Sequence, residues 1–238
     1  MSRELSSRAS NFLDSCVRTD AWEGPIRREM IAVDPGLAEV GDGTEEASSR
    51  MVFFDEHYGG RNIPVSGGVL AGSLALGCGT RPTLLRSTGD GLMFRMARHD
   101  SAQCAIMMSA SGQVGSSWSS EFHPLFDSME HLIEDSAAWH QIRGWHYVAI
   151  SDFIPSRIVA IIGDVSLDAT ASGENAKWWL SSKVAIVVHQ YLNPGRRSKQ
   201  VAILAADELE KVRVEQALEA EGIGDQGSIA ASLWGIVK

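Results

Sequence analysis

Two stretches of this chain hold side chains of the kind that carry chemistry. In "DEHYGG", Asp55, Glu56 and His57 stand side by side. Two carboxylates next to an imidazole are the groups of a general acid–base site, although an exposed polar loop accounts for the same residues. Further on, His123, His131 and His140 bracket a segment that also holds Glu130 and Asp135. Imidazoles and carboxylates are zinc ligands, but a zinc-binding helix places two ligands at i and i+4 on one face, and no His pair here has that spacing. The expectation is no metal, with His140 in the core bonded to a backbone carbonyl and His131 on the polar side of a helix.

The glycines between Gly68 and Asp100 raise the question of phosphate binding. A P-loop needs GxxxxGK[ST], which the chain lacks, and a Rossmann turn needs GxGxxG opening a helix after a strand. "GCGTRP" has Pro82 where the third glycine belongs, and β-type sequence follows it. Gly77 and Gly79 therefore read as points where the backbone turns. "AGSLA" around Ser73 lacks the flanking glycines of a nucleophile elbow. Cys16, Cys78 and Cys104 are odd in number and widely spaced, so they give neither a disulfide framework nor a CxxC clamp, and buried free thiols are expected. No cofactor is expected.

The elements that would position these groups follow from periodicity. Residues 2–19 suit a short amphipathic helix. "DPGLAEVGDGTEEASSR", Asp34 to Arg50, reads as a long loop. "MVFF" and "GGVLAGSLAL" are strand candidates. "TLLRS" and "LMFRMA" flank "TGDG", a hairpin signal because tight two-residue turns need positive φ. "CAIMMSA" continues an antiparallel meander. "DSMEHLIEDSAAWHQI" is the clearest helix, with Asp127 as cap and Glu130 three residues on. Its projection puts Met129, Leu132, Ile133, Ser136, Trp139 and His140 on the sheet side. Glu130, His131, Glu134 and Asp135 fall on the solvent side. "RIVAIIGDV" reads as a strand and "GENAKWWLSS" as a short helix, whose adjacent Trp178 and Trp179 are expected to anchor a core. "KVAIVVHQYLNPGRRSKQVAILA" is a second hairpin, "ADELEKVRVEQALEAEG" a helix ended by Gly222, and the tail "SIAASLWGIVK" is apolar enough to dock. Trp118, among small residues in "SGQVGSSWSS", reads as an aromatic in a flexible loop.

Together these give an α+β fold: an antiparallel twisted sheet with helices packed on one face and at the end. Residues 1–50 would be a helix and linker, 51–144 the sheet-and-helix core, and 145–238 an αβ extension continuing the same sheet. The 238 residues carry a net charge of −9, which argues against sequence-independent nucleic-acid binding. No apolar run approaches the ~20 residues of a membrane span, and the first residues lack a signal-peptide core. A cytoplasmic protein without membrane association is expected.

The stretch from Val69 to Trp139 resembles the SUKH superfamily, which includes many bacterial immunity proteins that neutralise a cognate toxin. "GSLALGCG" is similar to the family's strand ending in a glycine turn. "PTLLRSTGDGLMFRMARHD" resembles its next hairpin, and "PLFDSMEHLIEDSAAW" the helix that follows. The resemblance implies a non-catalytic protein-binding module that occludes a basic toxin domain. On that reading Glu130, Glu134 and Asp135 form the acidic partner-binding surface, with Trp118 as aromatic anchor. An enzyme using the Asp55–His57 cluster and a structural or oligomeric component are the alternatives.

Overall fold

The computed structural model describes residues 4–19, 22–34, 43–65, 72–87, 91–100, 105–118, 121–151, 155–190 and 199–223. The chain is an α+β protein with two sheets. Helix α1 (Ser7–Ser15) starts at Ser6, whose side chain accepts from the Ala9 N–H. After a short β1 (Ala32–Val33) comes α2 (Thr44–Tyr58). Its buried positions Ala47, Met51, Phe54 and Tyr58 recur every three to four residues, which is the helical period. Seven strands follow: β2 (Asn62–Val65), β3 (Gly72–Leu76), β4 (Thr83–Ser87), β5 (Gly91–His99), β6 (Ala105–Ser109), β7 (Val114–Trp118) and β8 (Glu121–Phe126).

These form the first sheet, in the order β1-β4-β5-β6-β7-β8. The long β5 also pairs with β3, and β3 with β2. All pairings are antiparallel except β1 with β4. Helix α3 (Met129–Gln141) then leads to β9 (His146–Ser151), α4 (Pro155–Ile162), β10 (Ser166–Leu167), β11 (Ala176–Leu180), β12 (Val184–Gln190), β13 (Lys199–Ala205) and α5 (Glu208–Ala220). The second sheet is antiparallel, in the order β10-β11-β12-β13-β9.

The packing is layered. On one face of the first sheet, Phe12 of α1, Phe54 of α2 and Leu132 of α3 share a core with Leu84, Phe94 and Phe126. The end of α3 turns to the second sheet, where Trp139 and Ile142 pack with Trp178, Val187 and Leu204. On the far face of that sheet, Ile158 and Ile162 of α4 and Val214 and Leu218 of α5 cover Ile186 and Ile203. The α3 helix is therefore covered on two sides, and every residue from Met129 to Trp139 is buried.

Several expectations change here. "MVFF" and the preceding Thr44–Arg50 lie in α2 instead of a strand and a loop. A four-residue apolar run carries too little periodicity to separate the two states. "RIVAII" forms α4, opened by Pro155 at the first helical position, with Ile158 and Ile162 four apart on the buried side. "AKWWL" is β11: alternation puts fully buried Trp178 towards α3 and Trp179 towards α4 and α5, so both serve cores. The C-terminal part builds its own sheet, so it does not continue the first, and residue 50 lies inside α2. The hairpins β4–β5 and β12–β13 form as expected. Gly222 has φ +72° just past α5, as a helix-ending glycine should. Residues 88–90, 191–198 and the apolar tail lie outside the described residues, as does Cys104.

Candidate functional site

The residues expected to form an acidic surface are in the interior. Glu130, Glu134 and Asp135 are 7%, 1% and 1% exposed, and His131 is 2% exposed. The expectation that α3 turns its acids to solvent is thus corrected: α1, α2 and the second sheet lie over that side. Each group reaches a different element. Tyr58 of α2 donates its hydroxyl to Glu130 Oε1 at 3.3 Å. Glu134 accepts from the Ser6 N–H at 2.6 Å and the Ser6 hydroxyl at 2.8 Å, and lies 3.4 Å from Arg8 Nη2. Arg8 also reaches Asp168 at 2.7 Å. Asp135 Oδ1 accepts from Trp178 Nε1 at 2.7 Å, and His189 Nε2 lies 3.0 Å from the same oxygen.

His131 and His140 exchange their expected roles. The Nδ1 of His131 accepts from the Asp127 N–H at 3.3 Å, which leaves Nε2 as the donor to the Ala171 carbonyl at 3.1 Å. His140 is exposed, with its ring against Phe12. The helix cap is Ser128, whose hydroxyl accepts from the His131 N–H, while Asp127 Oδ2 accepts from the Glu174 N–H. A Cβ on Gly173 would collide with the Asp127 carboxylate and the His131 ring, so the 168–173 loop can close on α3 only with glycine there.

This arrangement sets the local acidities. Burial pushes the Tyr58 hydroxyl well above its usual range, and the Glu130 carboxylate beside it adds to the effect. Burial alone would raise Asp168, but hydrogen bonds from Thr170 and Arg8, the Arg8 charge and the Ala171 N–H outweigh it and hold the carboxyl below its usual value. Such shifts mark groups held in one protonation state.

The Asp55–His57 cluster separates, because neighbours on a helix point about 100° apart. Asp55, 2% exposed, accepts from the Ile26 N–H at 3.0 Å and the Cys78 N–H at 3.1 Å. Burial, and then the Asp55 charge, push the Cys78 thiol far above its usual range. Glu56 and His57 are exposed, and His57 stacks on Phe53 while its Nδ1 contacts the Phe53 carbonyl. Trp118 ends β7, paired with Glu121, instead of sitting in a loop. The anchor role expected of its indole concerns a side chain outside the described residues.

Among the described residues no group of three or more His, Cys, Asp or Glu side chains is placed to hold a metal ion. No described helix is long and apolar enough to cross a membrane. No family model, no curated protein and no solved structure matches the chain. What the sequence missed is that α3's polar side is a junction. The groups that reach its acids, Ser6, Arg8, Tyr58, Trp178 and His189, lie 43 to 128 positions from their partners in the chain, beyond any local pattern.

Proposed function

We propose that the chain is a non-catalytic protein-binding module. One observation carries this reading: the groups that suggested chemistry do not converge, because Glu56, His57 and His140 are exposed while Asp55, Glu130, His131 and Asp135 are committed to internal contacts. Asp55 ties two loops, while Glu130, His131, Glu134 and Asp135 each fasten a different element to α3. A scaffold stiffened in this way presents a preorganised surface, which lowers the ordering cost of association. The SUKH resemblance supports the finer reading, an immunity protein that occludes a toxin. The docking surface would then be formed by groups other than the buried acids of α3.

The test is affinity capture of the full chain from its native cells, followed by calorimetric titration with the purified partner. A stoichiometric complex that inhibits a toxic activity of the partner, unchanged by His57→Ala, is the expected result. A His57→Ala chain that stays folded but loses its cellular effect would instead favour the acid–base enzyme.

A further inference from the structure

We propose that the first sheet's face away from α1, α2 and α3 binds, at the exposed Arg95 and Arg98, an acidic segment of a partner protein, carboxylate to guanidinium; this rests on the protein-binding reading above. Residues three apart on a regular strand point to opposite faces. In β5, however, Arg95 stands opposite Met107 and the next pair is Ala97 with Ile106, so Met96 is an inserted residue. Met96 and Ala97 go to the helix-covered core with Phe94. Arg98 stands opposite Ala75 of β3. The bulge thus brings Arg95 and Arg98 out as neighbours on the sheet face away from α1, α2 and α3. Bulges are enriched beside functional sites because they re-aim side chains in this way.

Both arginines are exposed, and among the described residues neither has an ion-pair or hydrogen-bond partner. Strand pairing puts Asn62, Ser73 and Ala75 beside Arg98 on one flank and Ala105 and Ser117 on the other, while Arg95 faces Met107, which with Met93 and Phe122 forms a buried apolar cluster on the same face. Asp100, just past the end of β5, is the nearest carboxylate along the strand and lies 3.3 Å from His99 Nδ1. Like charges as near neighbours on a sheet cost stability. Placing two there by means of an insertion is a local cost that a bound anion would offset.

The chemistry of the occupant follows from charge. A guanidinium fork matches a carboxylate with two parallel hydrogen bonds. Small neighbours around Arg98 (Ala75, Ala105, Ser117) leave room there for a partner backbone to approach. The chain as a whole is at −9, so a long polyanion such as nucleic acid would be repelled by the body that carries the patch. A short run of Asp or Glu on a protein surface sets fewer charges against that repulsion.

The experiment titrates the full chain against fluorescein-labelled decaglutamate, decaglutamine and oligothymidylate of equal length, read by anisotropy at low salt. The variants are Arg95→Glu/Arg98→Glu, Arg95→Gln/Arg98→Gln, and Lys177→Glu/Lys183→Glu as a charge control on the second sheet. Circular dichroism confirms that each is folded. Decaglutamate should bind in preference to the other two probes, and should weaken about ten-fold or more in either arginine variant, beyond any change in the lysine variant. Equal binding by wild type and the arginine variants, no binding of decaglutamate, or preference for oligothymidylate would overturn the proposal. A captured partner that binds wild type and the arginine variants equally would overturn this surface and leave the protein-binding reading standing.

Discussion

Replacing Asp135 with alanine removes the acceptor at which α3 meets the second sheet. Its Oδ1 lies 2.7 Å from the Trp178 indole nitrogen and 3.0 Å from His189 Nε2. A hydrogen bond to a charged group is worth roughly 1.5–3 kcal/mol. Trp178 is 0% exposed, so its freed N–H could not turn to water, and an orphaned buried donor costs about 1–3 kcal/mol. Losing one partner of a buried charged cluster therefore costs about 3–5 kcal/mol, a large part of the ~5–15 kcal/mol that holds a domain folded. Trp178→Phe removes the donor but also leaves a void, so the two single variants and Asp135→Ala/Trp178→Phe are needed as a cycle. Urea denaturation at pH 7, followed by far-UV circular dichroism, should give an interaction energy of about 1.5–3 kcal/mol. A coupling below ~0.5 kcal/mol, the usual scatter between independent sites, would show that this contact does not join the two halves.

Two further outcomes follow from the same helix. Gly173→Ala should destabilise the protein by roughly 1–3 kcal/mol, since its Cβ has nowhere to go between Asp127 and His131; a melting temperature equal to wild type would contradict the close packing of that loop. Asp168, held below the ordinary aspartate value of 3.8, contributes stability that is present above that pH and lost as pH falls through the lower folded value. Arg8→Met should therefore lower the urea midpoint at pH 7 by more than it does near pH 2.5; an equal loss at both values would mean that the Arg8–Asp168 pair contributes nothing.

Local pattern found the elements that have local signals. The β4–β5 pairing, the α3 and α5 periodicities and the Gly222 stop need only neighbouring residues, and each is where the sequence placed it. It failed where neighbours are ambiguous: the β-branched run of α4 and the tryptophans of β11 change state because tertiary burial overrides propensity. The acids of α3 show the deeper limit. Helical projection sorted them correctly from the Leu132–Ile133 side, but a projection knows one partner surface, and this helix has several. The split of Asp55 from His57 was legible in principle, because a helix cannot converge adjacent side chains. It was hidden by reading that stretch as a loop. The arginine pair was hidden too, since an insertion in a strand leaves no mark in the order of its residues.

The shared position of α3 bears on how this chain can be cut. Severing it after Gly144 would strip Trp178, Val187 and Leu204 of their cover on one fragment and bare Trp139 and the Asp135 carboxylate on the other. Neither piece would be a finished body, and the two would find each other again in solution as a complementing pair.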